Sequence, residues 1–152
     1  FPYLNAAFSA YQRIDNQANL VFATQVGVQH RFSNDYEFFQ AANLGGTGTD
    51  ANFRGLRRNR YAGKTAFYQN LDLRWRILGS KNRTLPFSLG LLAGFDHGRV
   101  WLDEDIDRSN TWHSSVGGGI WISPFNSFVL NLSLFRGNDD RNVFTFLGSF
   151  FF

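Results

Sequence analysis

Ala66-Phe67-Tyr68-Gln69-Asn70-Leu71-Asp72-Leu73-Arg74-Trp75-Arg76-Ile77 alternates without a break. Phe67, Gln69, Leu71, Leu73, Trp75 and Ile77 share one side, and Tyr68, Asn70, Asp72, Arg74 and Arg76 share the other. Successive side chains of a strand point to opposite faces, so this period of two predicts one long strand with unlike faces. The same pattern recurs outward in both directions. Downstream, Phe87, Leu89, Leu91, Ala93 and Phe95 oppose Ser88, Gly90, Gly94, Asp96 and Gly98. Trp112, Val116, Ile120 and Ile122 oppose His113, Ser115, Gly117, Gly119 and Trp121, and Phe128, Leu130, Leu132 and Leu134 oppose Asn131 and Ser133. A last run sets Phe144, Phe146, Gly148, Phe150 and Phe152 on one face. Upstream, Leu4 to Ile14 and Asn19 to Phe32 alternate in the same way. Between them and the opening stretch, Ser33 to Gly63 is rich in Asn, Gly, Asp and Arg and loses the alternation, which predicts a long functional loop.

About seven strands result, most of ten or more residues, joined by alternately short and long connections. Globular strands are usually nearer five or six residues; about ten, tilted, is what a bilayer core requires. The 152 residues hold 18 Phe and no Cys, so a thiolate metal site, a disulfide framework and a Cys nucleophile are excluded. No apolar stretch is long enough for a membrane helix. The polar faces carry Gly, Ser, Asn and isolated charges, which suits a wet lumen; the apolar faces carry aromatics near strand ends, as interfacial girdles do. The pattern therefore favours an all-β transmembrane antiparallel barrel over a soluble sandwich. In that barrel Leu71, Leu91, Leu130 and Leu132 face hydrocarbon, and a charge at Asn70 or Asn131 is expected to be tolerated. Residues 33–63, 102–111 and 136–141 are predicted to be extracellular, and 79–85 and 124–126 periplasmic.

Four motifs stand in order: Phe53-Arg54-Gly55-Leu56 in the long loop, Asp72-Leu73-Arg74 at the end of a strand, Gly94-Phe95-Asp96-His97-Gly98 in the next, and Ser115-Val116-Gly117-Gly118-Gly119 after it. With the terminal Phe residues, the set resembles the C-terminal end of the bacterial surface-antigen barrel superfamily, the group that includes BamA, TamA and FhaC-like secretion transporters. The resemblance covers the whole chain, 1–152. Phe53-Arg54-Gly55-Leu56 looks like the tip of that family's in-folding extracellular loop, keeping Arg-Gly and departing at both hydrophobic positions. The resemblance implies the last seven of sixteen strands, with the others supplied by the rest of a longer chain or by a second polypeptide. It also implies that acidic residues at Asp72 and Asp96 bind the loop arginine. Phe146, Gly148, Phe150 and Phe152 resemble the C-terminal aromatic signal read by the barrel-assembly machinery.

The residues themselves give a physical reason for such a contact. A cation in a lumen needs an acidic partner, and a guanidinium can bridge two carboxylates with its five donors. Asp72 and Asp96 share the polar faces of sequential strands. On charge pattern alone, Arg54 reads equally well as one of several loop arginines in water. Other signals are weak. Gly63-Lys64-Thr65 precedes a strand rather than a helix, so it is no phosphate-binding loop. Asp103, Asp105 and Asp107 have the spacing of the first calcium-loop ligands but lack the glycine and glutamate that complete one. His30, His97 and His113 lie on different strands. The cluster Arg54, Arg57, Arg58, Arg60 and Lys64 lies in a loop assigned to a lumen or cell exterior, which argues against nucleic acid.

The resemblance implies a protein of the bacterial outer membrane that inserts or translocates polypeptides there, with no catalytic residue and no cofactor. Its implied partners are outer-membrane lipid and lipopolysaccharide, the remaining barrel strands and a polypeptide substrate. The alternatives are a barrel anchoring an N-terminal patatin-like lipase or calcineurin-like phosphoesterase, and a passive outer-membrane pore.

Overall fold

The computed structural model describes residues 2–33, 35, 37, 40–45, 51–58, 60–102, 110–138 and 142–152. Each alternating run forms a strand, with several ends displaced by about three residues and the last strand stopping five residues short of the run's end. In chain order they are β1 (Tyr3–Arg13), β2 (Leu20–Arg31), β3 (Ala42–Leu44), β4 (Tyr61–Gly63), β5 (Thr65–Ser80), β6 (Phe87–Trp101), β7 (Trp112–Pro124), β8 (Leu130–Gly137) and β9 (Asn142–Leu147). Seven make one antiparallel sheet in the order β1-β2-β5-β6-β7-β8-β9, and β3 and β4 form a separate two-stranded ladder. The sheet is not closed; β1 and β9 are its edges.

Register follows from parity. Asn70 stands opposite Asp96 and Asp96 opposite Ser115, while Leu71 stands opposite Phe95 and Phe95 opposite Val116. A one-residue slip would exchange the two faces, so the alternation itself fixes the pairing. A bulge between Arg76 and Leu78 interrupts the ladder near the far end of β5.

The two faces are buried in the reverse of the usual sense. The described residues between 40 and 63 lie on the polar face, with β3 against β2, β5 and β6, and β4 against β6. Beneath it Asn70, Asp72, Asp96 and Ser115 are buried. We call this the inner face. The apolar outer face is bare: Val116 is 62% exposed and Phe146 62%, and Trp75, Leu91, Ile120 and Leu134 are exposed too. The apolar core lies instead between loop and inner face, where Leu44, Phe53, Leu56 and Tyr61 pack with Ala66, Tyr68 and Val100.

Three expectations are revised. The stretch 33–63 is not free of regular structure, because Ala42–Leu44 pairs with Tyr61–Gly63 and gives its two arms a common base. The final run does not continue as one face. β9 ends at Leu147, and a bend at Gly148-Ser149 carries the chain inward. Phe144 and Phe146 remain on the outer face, whereas Phe150 lies edge-on to the inner Trp121 with ring centroids 5.4 Å apart. Finally, Asn70 and Asn131 are not open to a wet lumen: both are buried, and Asn70 donates to the Asn52 carbonyl of the loop at 3.1 Å. An arginine would not fit at Asn70 without displacing the loop.

Phe53 is wholly buried between loop and sheet. Phe53→Ala should therefore lower unfolding stability by about 3–5 kcal/mol and speed proteolytic cleavage between β2 and β5. Unchanged stability together with unchanged cleavage would mean that the loop is not seated on the inner face.

Candidate functional site

The loop presents one cation to the sheet. Two short-range devices shape its approach. Asn52 clamps the arms of the loop, donating from Nδ2 to the Asn43 carbonyl at 2.7 Å and accepting from the Gly45 amide at 3.1 Å. Gly55 then turns the chain with φ +80°, a left-handed conformation that costs glycine nothing and strains other residues. A Cβ there would also stand 2.7 Å from the Ser115 Cβ. Between these points Arg54 enters the sheet and is 2% exposed.

Arg54 meets both predicted aspartates. Its backbone amide donates to Asp96 Oδ2 at 2.7 Å, its Nε to the same oxygen at 2.9 Å, and its Nη2 to Asp96 Oδ1 at 2.5 Å. Its Nη1 donates to Asp72 Oδ1 at 2.5 Å. The planar fork suits this double engagement, since its donors diverge toward two separate carboxylates. Asp72 and Asp96 belong to neighbouring strands and share the inner face, so sheet geometry sets their separation before the loop arrives. Gly94 completes the slot. A Cβ on it would lie 3.0 Å from Arg54 Nη2 and 2.6 Å from the Phe135 ring, so only a residue without a side chain leaves room.

Sequence reading quoted Arg74, Ser115, Phe150 and Phe152 but did not place them, or Phe135, at this cluster. Arg74 Nη2 donates to Asp72 Oδ2 at 3.1 Å, so Asp72 is shared between two arginines. With Asp96, the four side chains form a neutral cluster of two cations and two anions. Ser115 Oγ donates to the Arg54 carbonyl. The Arg54 guanidinium carbon lies 4.3 Å from the Phe135 ring centroid and 4.8 Å from that of Phe151. The Arg74 guanidinium carbon lies 4.1 Å from the Phe150 ring centroid, and its Nη2 donates to the Phe152 backbone oxygen at 2.7 Å. Cation–π contact is worth most where water is excluded, as it is here. Burial pulls the Arg54 pKa down, but the Asp96 and Asp72 carboxylates more than offset this and leave it above the ordinary arginine value. The guanidinium is charged at every working pH.

The remaining predicted residues are distributed as follows. Phe53 and Leu56 flank Arg54 in the loop core. Of the terminal aromatics, Phe146 faces outward, while Phe150 and Phe152 cover Arg74. Arg57 and Arg58 are exposed on the loop, and Arg60 lies over Tyr61 at 4.7 Å. His113 stacks on Tyr61 at 3.7 Å on the inner face, whereas His30 and His97 are on the outer face, far apart in strand order. Among the described residues no group of three His, Cys, Asp or Glu side chains could hold a metal. Asp103, Asp105 and Asp107 lie outside the described residues. Compared with family models, curated proteins and solved structures, the chain matches none.

Among the described residues the one cation paired with Asp96 is Arg54, with Asn70 as a further hydrogen-bonding side chain, but Asp72 keeps Arg74 if Arg54 is lost. Arg54→Ala should thus cost about 3–5 kcal/mol, because it strands a buried carboxylate. Arg54→Lys should restore less than half of that, since one ammonium cannot span both aspartates. Asp96→Asn should be worse than Asp72→Asn. Equilibrium unfolding of the four variants measures all of this, and equal penalties for Asp72→Asn and Asp96→Asn would refute the unequal sharing.

Proposed function

We propose that this chain is the C-terminal part of a transmembrane β-barrel of the bacterial outer membrane, of the surface-antigen kind, and that it serves the insertion or translocation of polypeptides there. The observation that carries the reading is the pairing of a bare apolar outer face with a polar inner face occupied by an arginine-tipped loop. A soluble protein would cover the first and wet the second. In lipid the requirements are reversed, and backbone groups in strands must be satisfied by closure. The strand lengths, the exposed aromatics at strand ends and the resemblance of the loop tip to the family's Arg-Gly motif support the same reading. So does the division of connections, with 14–19, 81–86 and 125–129 at one end and 32–64, 102–111 and 138–141 at the other, the first two of these being the longest.

The role is mechanical. Arg54 braces the loop against β5 and β6 and so stiffens the middle of the sheet, while the first edge strand, β1, remains available for strand exchange. No group of this cluster is arranged to turn over a substrate, and any enzymatic activity would belong to another part of the protein. Seven consecutive antiparallel strands leave both edges running in the same direction, so the sheet requires further strands to close.

Three measurements bear on this reading. Cysteine placed at Asn138 should be labelled in intact cells and cysteine at Asn82 should not; the opposite result would overturn the orientation. Leu91→Arg and Leu132→Arg should each cost about 2–4 kcal/mol, whereas Asn5→Arg, on the inner face of the edge strand, should stay within about half a kcal/mol. Similar penalties on both faces would favour a soluble fold. In cells, Arg54→Ala should reduce the assembly or export of other proteins while the variant itself still reaches the outer membrane. Unimpaired assembly and export would leave the pore or anchor readings in its place.

A further inference from the structure

The outer face carries almost no charge, and what it carries is confined to one end. Along all seven strands, the only Lys, Arg, Asp or Glu side chains with outward parity are Arg99 and Arg136. Arg99 lies two residues from the end of β6 and Arg136 one residue from the end of β8, both at the end bearing the long connections. The opposite half of the same face shows only residues such as Leu89, Leu91, Ile120, Ile122, Leu130 and Leu132.

The surroundings of Arg99 are specific. It stands directly opposite Phe67 on β5 and Trp112 on β7, with His97 and Trp101 two residues to either side on its own strand. Its guanidinium carbon lies 5.3 Å from the Trp101 ring centroid. His97 stacks on Trp112 at 4.7 Å and 17°, and Phe67 meets Trp112 edge-on at 6.1 Å. Rings thus flank the cation along and across the sheet. Among the described residues no carboxylate pairs with it, and its buried Nε has no hydrogen-bond partner. Arg136 is exposed on the outer face two strands away, likewise without a carboxylate among the described residues.

We propose that this patch is a binding site for a phosphate group of a phosphorylated glycolipid in the outer leaflet. Arg99 is the anchoring cation, Arg136 a second one, and the Trp101–Trp112–His97 surface is the platform for the sugar and the first acyl carbons. The proposal rests on the reading of the chain as an outer-membrane barrel, which puts the long-connection end in that leaflet. Its chemistry follows from the residues. A guanidinium held among rings keeps a forked set of donors for phosphate oxygens. Stacked aromatics at a bilayer boundary suit an amphipathic ligand with a polar head and an apolar tail. Two arginines that pair with no carboxylate among the described residues favour an anion, and their confinement to one end selects one leaflet.

The test uses the whole protein, purified folded in a neutral detergent, with native mass spectrometry as the readout. Lipid A, enzymatically dephosphorylated lipid A and phosphatidylglycerol are added separately. Lipid A should bind at least about tenfold more tightly than either of the others, and Arg99→Gln should remove about tenfold of that affinity. Arg99→Lys should retain part of it, and Arg99→Gln combined with Arg136→Gln should abolish the preference. Equal binding of lipid A and its dephosphorylated form, or unchanged affinity in Arg99→Gln, would overturn the site. Equal binding of phosphatidylglycerol would overturn its assignment to a glycolipid. If Arg99→Gln does not fold, the wild-type comparison of the three lipids still decides. Failure of the barrel reading shows separately, as absence of the wild-type protein from the outer-membrane fraction.

Discussion

A guanidinium cannot be taken out of water alone, and the arrangement of the inner face follows from that constraint. Arg54 is nine residues before the end of the long connection and reaches the sheet as a charged tip. Its burial is tolerable only because Asp96 receives its amide, Nε and Nη2 while Asp72 receives its Nη1. The surrounding residues serve that contact. Gly55 permits the turn, Gly94 leaves the slot open, and Asn52 holds the two arms of the loop at a fixed spacing. Ser115 takes up the Arg54 carbonyl, which would otherwise be a buried acceptor without a donor. A smaller cation would leave one carboxylate unsatisfied, and a larger residue at position 94 would occupy the place of the guanidinium.

The same strands carry two faces with opposite solvent requirements. On β5 the inner series Tyr68, Asn70, Asp72 and Arg74 is buried beneath the loop, while the outer series Leu73 and Trp75 is bare. The hydrophobic effect alone would turn such a sheet over. That it does not is due to the loop, which contributes its own apolar cluster of Leu44, Phe53, Leu56 and Tyr61 over the upper part of the inner face and then a charge-neutral contact below it. The loop thus stands where a second sheet would stand in a sandwich, but it covers the polar side. The apolar outer face is left uncovered, as the proposed membrane setting requires.

Much of this was legible in the sequence, and the limits have physical causes. Period two identified the seven strands and their faces, because one parity error would place Asp72 or Asp96 among leucines. The Arg54–Asp96–Asp72 contact was legible only through the resemblance, since composition cannot say which of Arg54, Arg57, Arg58 and Arg60 enters the sheet. Arg74 carries a signal that parity alone could have found, for it shares the inner face with Asp72 two residues earlier. Phe135 carries another, as the one large apolar residue in the inner series Asn131, Ser133, Phe135. The inward bend at Gly148-Ser149 was not legible. Phe150 and Phe152 keep the alternation of an outward-facing series, but contacts with Arg74, Arg54 and Trp121 hold them on the other side.

The placement of the loop contact within the sheet has a consequence for the proposed role. Arg54, its carbonyl and the neighbouring rings engage β5 and β6 through the aspartates, β7 through Ser115 and β8 through Phe135. None of these bonds reaches β1, and β2 touches only the upper arm of the loop, where Gln29 accepts from the Asn43 amide. The loop therefore stiffens the middle of the sheet and meets the first edge only at one remove, through Arg74, whose guanidinium carbon lies 5.7 Å from the Tyr11 ring centroid of β1. The last edge is held more closely, because the residues after β9 fold onto Arg74 and the Phe152 oxygen accepts from it. Since β1 and β9 run in the same direction, neither can complete the other's antiparallel ladder. On the proposed reading as part of a barrel, the sheet is rigid where the loop grips it and open to exchange at β1, which is the division of stiffness that lateral insertion of another strand would need.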